Sequence, residues 1–225
     1  MLERLADDLW TTTGPLSTAG IQIGVRMTVV RLPGGGLFVH SPIRIDDTLR
    51  AEVQALGPVG FLVAPNKFHH LYLDGWVEAF PDAKLYGPIG LPEKRKDLRF
   101  DGILAEGHPD PGWGDALDLV QFYGAPATNE VVFLHKPSRT LLMTDLAFNI
   151  HEPVNWITRM YLRIGKCHGR LKTTGIMRLV IRDKQAARQS VERMLAWDFD
   201  RIVVSHGEVL EHGGPDALRS AFEWL

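Results

Sequence analysis

Three short apolar runs constrain this chain more than any other feature, because each stops abruptly at a polar loop carrying histidine or aspartate. Val59 to Ala64 runs into Pro65-Asn66-Lys67-Phe68-His69-His70, Thr140 to Thr144 into Asp145, and Arg201 to Val204 into Ser205-His206-Gly207. Runs this short and this apolar suit strands covered on both faces. Loops at the ends of such strands are where a rigid sheet holds chemical groups in place.

The intervening sequence alternates strand and helix signals. Ile21 to Val30 is rich in β-branched residues and turns at Pro33-Gly34-Gly35-Gly36 into Leu37 to His40, a hairpin pattern. Asp46 or Asp47 can cap a helix through Leu49, Val53 and Leu56, ended by Gly57-Pro58. A second helix is expected from about Leu71 to Phe80 and a short strand at Lys84 to Tyr86, whereas Leu91 to Gly114 reads as loop with one helical turn. Leu117 to Tyr123 and Glu130 to His135 are further strands. Asp183 caps a helix with Ala187, Val191, Met194 and Leu195 on one face, and Pro215 opens a last helix. The order favours a layered α/β fold in one domain spanning 1–225, and the hairpins argue against an all-parallel, doubly wound sheet.

Composition excludes several classes. With 225 residues, 45 % hydrophobic and 23 % charged, the chain is neither disordered nor fibrous. A formal net charge of −2 gives no reason to expect a nucleic-acid partner. The single cysteine, Cys167, fits a reducing compartment, and the charged start Met1-Leu2-Glu3-Arg4 lacks the apolar run of a signal peptide. A cytoplasmic location is the expectation.

His69, His70, Asp145 and His206 could together offer three imidazoles and a carboxylate to Zn²⁺ or Fe²⁺. Spacing alone leaves a second reading open: a core histidine, surface histidines and a capping aspartate. No Gly-x-Ser-x-Gly elbow is present, which argues against a hydrolase of the serine-triad type.

Several stretches, taken in order, sharpen this. Arg26-Met27-Thr28-Val29, His40-Ser41-Pro42, Ala64-Pro65-Asn66 with His69-His70, Asn129-Glu130 with Thr144-Asp145, and Ser205-His206-Gly207 resemble the metallo-β-lactamase-like superfamily. The closer resemblance is to a bacterial branch of it that forms a domain family of unknown function. The resemblance implies a four-layer αββα sandwich of mixed sheets. It also implies a His-x-His-x-Asp-His loop, a later third histidine, a bridging aspartate and a last histidine, holding two metals.

Set against that pattern, the first and third loop positions are Pro65 and Lys67, and Gly124 to Thr128 contains no histidine. Those positions make the first metal site. The second maps to His69, His70, Asp145 and His206, with one aspartate replaced by histidine. One divalent ion is therefore expected, with zinc preferred to iron. Four ligands would close a tetrahedral site, whereas three would leave a place for water. Asp145 and Glu130 are the candidate catalytic groups; Glu130 could accept from a ligand histidine, serve as general base, or be a solvated strand end. His40 lies where the superfamily often has an acid near the metals, and either hydrogen-bonds into the site or is a plain buried histidine. Lys67 is a candidate contact for an anionic substrate, or an exposed loop lysine.

A helical insertion at about 151–182 is strongly basic. From Arg159 to Arg188 run Arg159, Arg163, Lys166, Arg170, Lys172, Arg178, Arg182, Lys184 and Arg188 against the single acid Asp183. A solvated basic face is preferred over a lid selecting anionic substrates, a membrane contact or a partner surface. Cys167-His168, in a glycine-flanked loop, is read as structural. Two functions follow: a metal-dependent hydrolase in which metal-bound water attacks an ester, thioester, amide or phosphate ester of a small molecule, or a non-catalytic binding or scaffold module on the same fold.

Overall fold

A computed structural model describes residues 1–107, 112–165 and 167–225. The chain opens with β1 (Glu3–Ala6), β2 (Leu9–Gly14), a small hairpin of β3 (Ser17–Thr18) and β4 (Ile21–Gln22), then β5 (Val25–Arg31) and β6 (Leu37–His40). Next come α1 (Asp47–Leu56), β7 (Val59–Val63), α2 (Leu73–Ala79), β8 (Lys84–Pro88), α3 (Leu91–Lys94) and β9 (Gly102–Leu104). After β10 (Leu117–Gln121), β11 (Val131–His135) and β12 (Thr140–Leu142) follow α4 (Trp156–Ile164), α5 (Gly175–Val180), α6 (Lys184–Leu195), β13 (Arg201–Val203) and α7 (Gly214–Phe222).

Seven strands form one sheet in the order β1-β2-β5-β6-β7-β8-β9, and four form a second in the order β10-β11-β12-β13. Both are mixed: the first is antiparallel up to β6 and parallel from β6 to β9, and only β12 and β13 are parallel in the second. The doubly wound alternative is thereby excluded.

Side-chain alternation along each strand separates three cores. Met27, Val29, Leu37, Val39 and Leu62 face outward from the first sheet onto Leu49 and Val53 of α1 and Leu73 and Trp76 of α2. Val132, Leu134, Leu141 and Ile202 face outward from the second onto Met177 of α5, Val191 and Met194 of α6 and Leu218 of α7. Between the sheets lie Val30, Phe38, Val63, Val131, Phe133, Leu142 and Val203. The layers run helices, sheet, sheet, helices. This is why the central strands read as unbroken apolar runs: both of their faces are buried.

The structure extends the sequence reading at two places. The N-terminal residues form β1 and β2 at one side of the first sheet, and β9 falls in the segment expected to be loop, where α3 is the one helical turn expected. Residues 108–111 of that segment, and Lys166 of the basic segment, lie outside the described residues.

The topology decides where loops meet. β12 and β13 are parallel, so Asp145 and His206 leave the second sheet at the same end. β11 is antiparallel to β12, which puts its beginning, next to Glu130, at that end too. The exits of β6 and β7, also mutually parallel, carry Ser41 and Asn66.

His135, at the far end of β11, is buried between the sheets, with Nδ1 2.6 Å from Ser138 Oγ and Nε2 without a hydrogen-bond partner. Burial, only partly opposed by Asp8, lowers its pKa from 6.5 to about 4. The unfolded chain therefore takes up a proton below pH 6.5 that the fold refuses until about pH 4. Stability is full above that window and falls as the pH drops through it, by at most about 1.4 kcal/mol per pH unit. Urea titrations from pH 7 down to pH 4 should show a shallower loss of stability for His135→Gln than for the unsubstituted chain.

Candidate metal centre

Buried carboxylates dictate the site. Glu130 is fully buried, and the Asp145 side chain is largely so. Uncompensated charges there would be costly, so each must collect donors. Glu130 accepts from the backbone N–H groups of Thr144 at 2.7 Å and Asp145 at 2.9 Å, which fixes the loop after β12. Asn66, buried at the exit of β7, directs its amide nitrogen at Glu130 Oε2 (3.0 Å), Thr144 Oγ1 (2.8 Å) and Asp145 Oδ2 (2.7 Å). Its amide oxygen accepts from the N–H groups of Phe68 and His69 at 2.8 and 3.0 Å. One side chain thus shapes the His69 turn and holds the Asp145 loop across the two sheets.

Two imidazoles close on the same carboxylate. His69 Nε2 lies 3.4 Å from Asp145 Oδ2, and His206 Nε2 lies 3.1 Å from Asp145 Oδ1. His206 Nδ1 donates to the carbonyl of Gly24 at 2.6 Å, since a carbonyl can only accept, and this fixes the ring with Nε2 turned toward Asp145. His69 Nδ1 is 2.7 Å from Ser41 Oγ, which holds that ring in the equivalent orientation. Second partners of this kind are what orient metal-binding histidines.

Electrostatics agree. Burial opposes charge on His69, but Asp145, followed by Glu130, outweighs it and raises the pKa. Burial likewise opposes charge on Asp145, but His69 and His206 pull it well below the usual carboxylate range. Glu130 is raised by burial and by the charge of Asp145. Each Nε2 faces a carboxylate oxygen that can only accept, so the contact is met by a proton on the ring or, in its place, by a metal ion between the two.

The ligand atoms of His69, Asp145 and His206 all lie within 4.8 Å of one another, and the three can hold a metal ion. Zinc bonds of about 2.0–2.1 Å in tetrahedral array place donor atoms about 3.3 Å apart; each imidazole meets its own oxygen of Asp145 at a comparable distance, and two nitrogens with a carboxylate are the donor types zinc takes. The donor set fits.

The fourth expected ligand, His70, is not part of the group. The turn that aims His69 inward leaves His70 against Arg95, with its Nδ1 3.2 Å from Nη1 and its carbonyl accepting from the same nitrogen at 2.9 Å. Partial burial, with the charges of Lys94 and Arg95 beside it, lowers its pKa. Lys67 is also directed elsewhere, its ammonium donating to the Pro126 carbonyl at 3.3 Å. His40 is buried on the inter-sheet face, edge-on to Phe133, with Nε2 unpartnered. Burial and the neighbouring His69 lower its pKa to about 3, so it remains neutral.

Three residues that occur in the sequence reading only within longer stretches take supporting roles that it did not assign. Besides Asn66 and Ser41, buried Arg26 donates from Nε to the carbonyl of Val204 (3.1 Å) and from Nη2 to that of Gly207 (2.6 Å), bracketing His206 from the opposite sheet. Gly207 has φ +108°, and a Cβ there would overlap the Asn149 carbonyl, so the Ser-His-Gly loop requires glycine. Cys167 is buried, with Sγ 3.6 Å from the Leu162 carbonyl, apart from the centre.

The centre opens into a cleft of about 200 Å³, walled by Leu16, Ile23, Val25, Pro42, Phe68 and Leu71. Among the described residues lining it, the ionisable groups are the three of the centre and Tyr72. Elemental analysis should find metal in the purified chain and in His70→Ala, and none in His69→Ala or His206→Ala. Asn66→Ala should weaken metal affinity roughly 10–100-fold, the usual effect of losing a group that orients a ligand.

The structure matches solved metallo-β-lactamases along their whole length. A metallo-β-lactamase from Erythrobacter litoralis, with β-mercaptoethanol in its active site, is 14 % identical with a TM-score of 0.70, over 100 % of this chain and 96 % of that one. A metallo-β-lactamase from Pontibacter korlensis is 13 % identical with a TM-score of 0.67, over 99 % and 98 %. The flavodiiron core of Flv1 from Synechocystis, 11 % identical, matches over 100 % of this chain and 60 % of its own, with a TM-score of 0.68. These likenesses show a mixed α/β metallo-β-lactamase-like fold. No curated protein gives a significant match. Residues 6–172 match the family described as "Domain of unknown function (DUF4336)", and the chain belongs to that family.

Proposed function

We propose that the chain is a hydrolase working with one divalent ion, zinc in preference to iron, held by His69, Asp145 and His206. The carrying observation is that both Nδ1 atoms are tied to oxygen, leaving both Nε2 atoms aimed at Asp145 beside an open cleft. Three protein ligands with a vacant fourth position is the pattern of catalytic rather than structural zinc. The displacement of His70 thus favours chemistry: a fourth imidazole would have closed the site.

When bound, such an ion supplies a Lewis acid that acidifies water and polarises a carbonyl or phosphoryl oxygen. The chain's own residues supply orientation. Ser41 and the Gly24 carbonyl hold the imidazoles, and Asn66 and Glu130 hold Asp145. Glu130 acts here as a positioning residue, because its oxygens are taken up by the Thr144 and Asp145 N–H groups and by Asn66. The apolar walls exclude water and suit a substrate whose acyl portion is aliphatic and uncharged. An anionic substrate finds no Lys or Arg among the described lining residues.

One observation favours the alternative, a non-catalytic binding module: Pro65 and Lys67 stand where the superfamily has two ligands of its first metal site. Turnover separates the readings. Zinc-loaded protein should hydrolyse neutral acyl esters or thioesters, and His206→Ala should lose this activity. If neither these nor amide or phosphodiester substrates turn over faster than with metal-free protein, the binding module stands instead.

A further inference from the structure

The basic segment presents an unusual surface. From Val154 to Arg182 the chain has seven Lys and Arg residues and no Asp or Glu. Val154, Trp156, Met160, Ile164, Ile176 and Leu179 are exposed in the same stretch, Trp156 at 70 %, Ile164 at 76 % and Leu179 at 84 %. A solvated basic face, the sequence expectation, does not account for large apolar side chains held out in water.

Helical geometry organises them. Asn155 caps α4 by accepting from Thr158 N–H at 2.8 Å. The buried face of the helix carries Thr158 and Leu162. Thr158 Oγ1 accepts from the N–H of Gln22 at 2.8 Å, which fixes α4 on the β3–β4 hairpin. Trp156, Met160 and Ile164, four residues apart, therefore make one outward stripe. Arg159 and Arg163 run beside it, and no carboxylate pairs with either among the described residues. The end of α4 meets the start of α5, with Gly165 against Gly175, which places Ile164 and Ile176 at one end of the surface. A recess at the flank is lined by Arg159, Arg163, His151, His168, Pro153 and Glu152.

We propose that this surface docks on an anionic phospholipid bilayer. The apolar stripe enters the boundary between headgroups and acyl chains, and Arg159 and Arg163 meet headgroup phosphates at the recess. An amphipathic helix with tryptophan on its apolar face and arginine beside it has the chemistry for lying in that plane. A second copy of the chain would bring like charges together. A rigid protein partner would need a shaped groove for each projecting side chain, whereas a fluid surface needs none. Residues Leu16, Thr18 and Ile23, around the hairpin that carries α4, also line the cleft of the metal centre, so docking would set that cleft close to the bilayer.

Co-sedimentation of the full chain with vesicles tests this independently of metal or turnover. Binding is expected to phosphatidylcholine vesicles containing phosphatidylglycerol, weakening with added salt, and to be roughly tenfold or more weaker for phosphatidylcholine alone. Arg159→Glu with Arg163→Glu, and separately Ile164→Ser with Leu179→Ser, should each lower binding roughly tenfold while melting temperature and metal content stay unchanged. Failure to bind anionic vesicles overturns the proposal, whatever acidic protein the surface captures. So does binding unaltered in both variants, or release by millimolar inorganic phosphate, which would mark a soluble-anion site.

Discussion

The buried carboxylate of Asp145 organises the end of the molecule at which the two sheets meet. A carboxylate covered by protein cannot rely on water and must be surrounded by donors or cations. Asn66 supplies one donor from the first sheet, and His69 and His206 supply two rings from opposite sides. Glu130, itself buried, then holds the backbone on which Asp145 sits. These contacts cross the interface between sheets, so the polar edge also fixes how the apolar layers face one another. Arg26 closes the same edge from β5 by grasping two carbonyls around His206.

The fold was legible because its central strands are covered on both faces. Burial of that kind forces continuous apolar composition on β7, β11 and β13, and their sudden endings show where loops begin. β1 was missed for the complementary reason, and β2, although largely buried, carries the three threonines Thr11, Thr12 and Thr13 where an apolar run would mark it. Glu3 to Ala6 is an exposed edge strand, and an edge imposes no comparable apolar run. β9, three residues long between charged and glycine-rich segments, is too short to show a period.

Residue type at a strand end revealed His69, Asp145 and His206. It could not reveal Asn66, Ser41 or Arg26, whose roles depend on partners far away in sequence; Asn66 meets Glu130 across 64 residues and Arg26 meets Val204 across 178. Nor could adjacency decide between His69 and His70. Two neighbouring side chains in a tight turn diverge, and which one faces inward depends on the Asn66 oxygen that accepts from Phe68 and His69. The pattern grouped four residues, and the fold gathers three of them, with His70 set against Arg95.

The region matching the superfamily's first metal position has its own internal order. Lys67 occupies one expected ligand place, and the Gly124 to Thr128 loop stands where another histidine would lie. These segments are joined to each other: the Lys67 N–H donates to the Thr128 carbonyl at 2.8 Å, and its ammonium to that of Pro126. Lys94 then donates to the Lys67 carbonyl at 2.8 Å, and the charges of Lys67 and Arg95 add to burial in lowering its pKa. A divalent ion there would face cations where it needs donors. Backbone carbonyls and ammonium groups satisfy one another in that space, so the fold keeps its edge without a first ion. His69, Asp145 and His206 have no such internal cation beyond a proton. That asymmetry is what favours the proposed single ion, and its place among His69, Asp145 and His206 rather than beside Lys67.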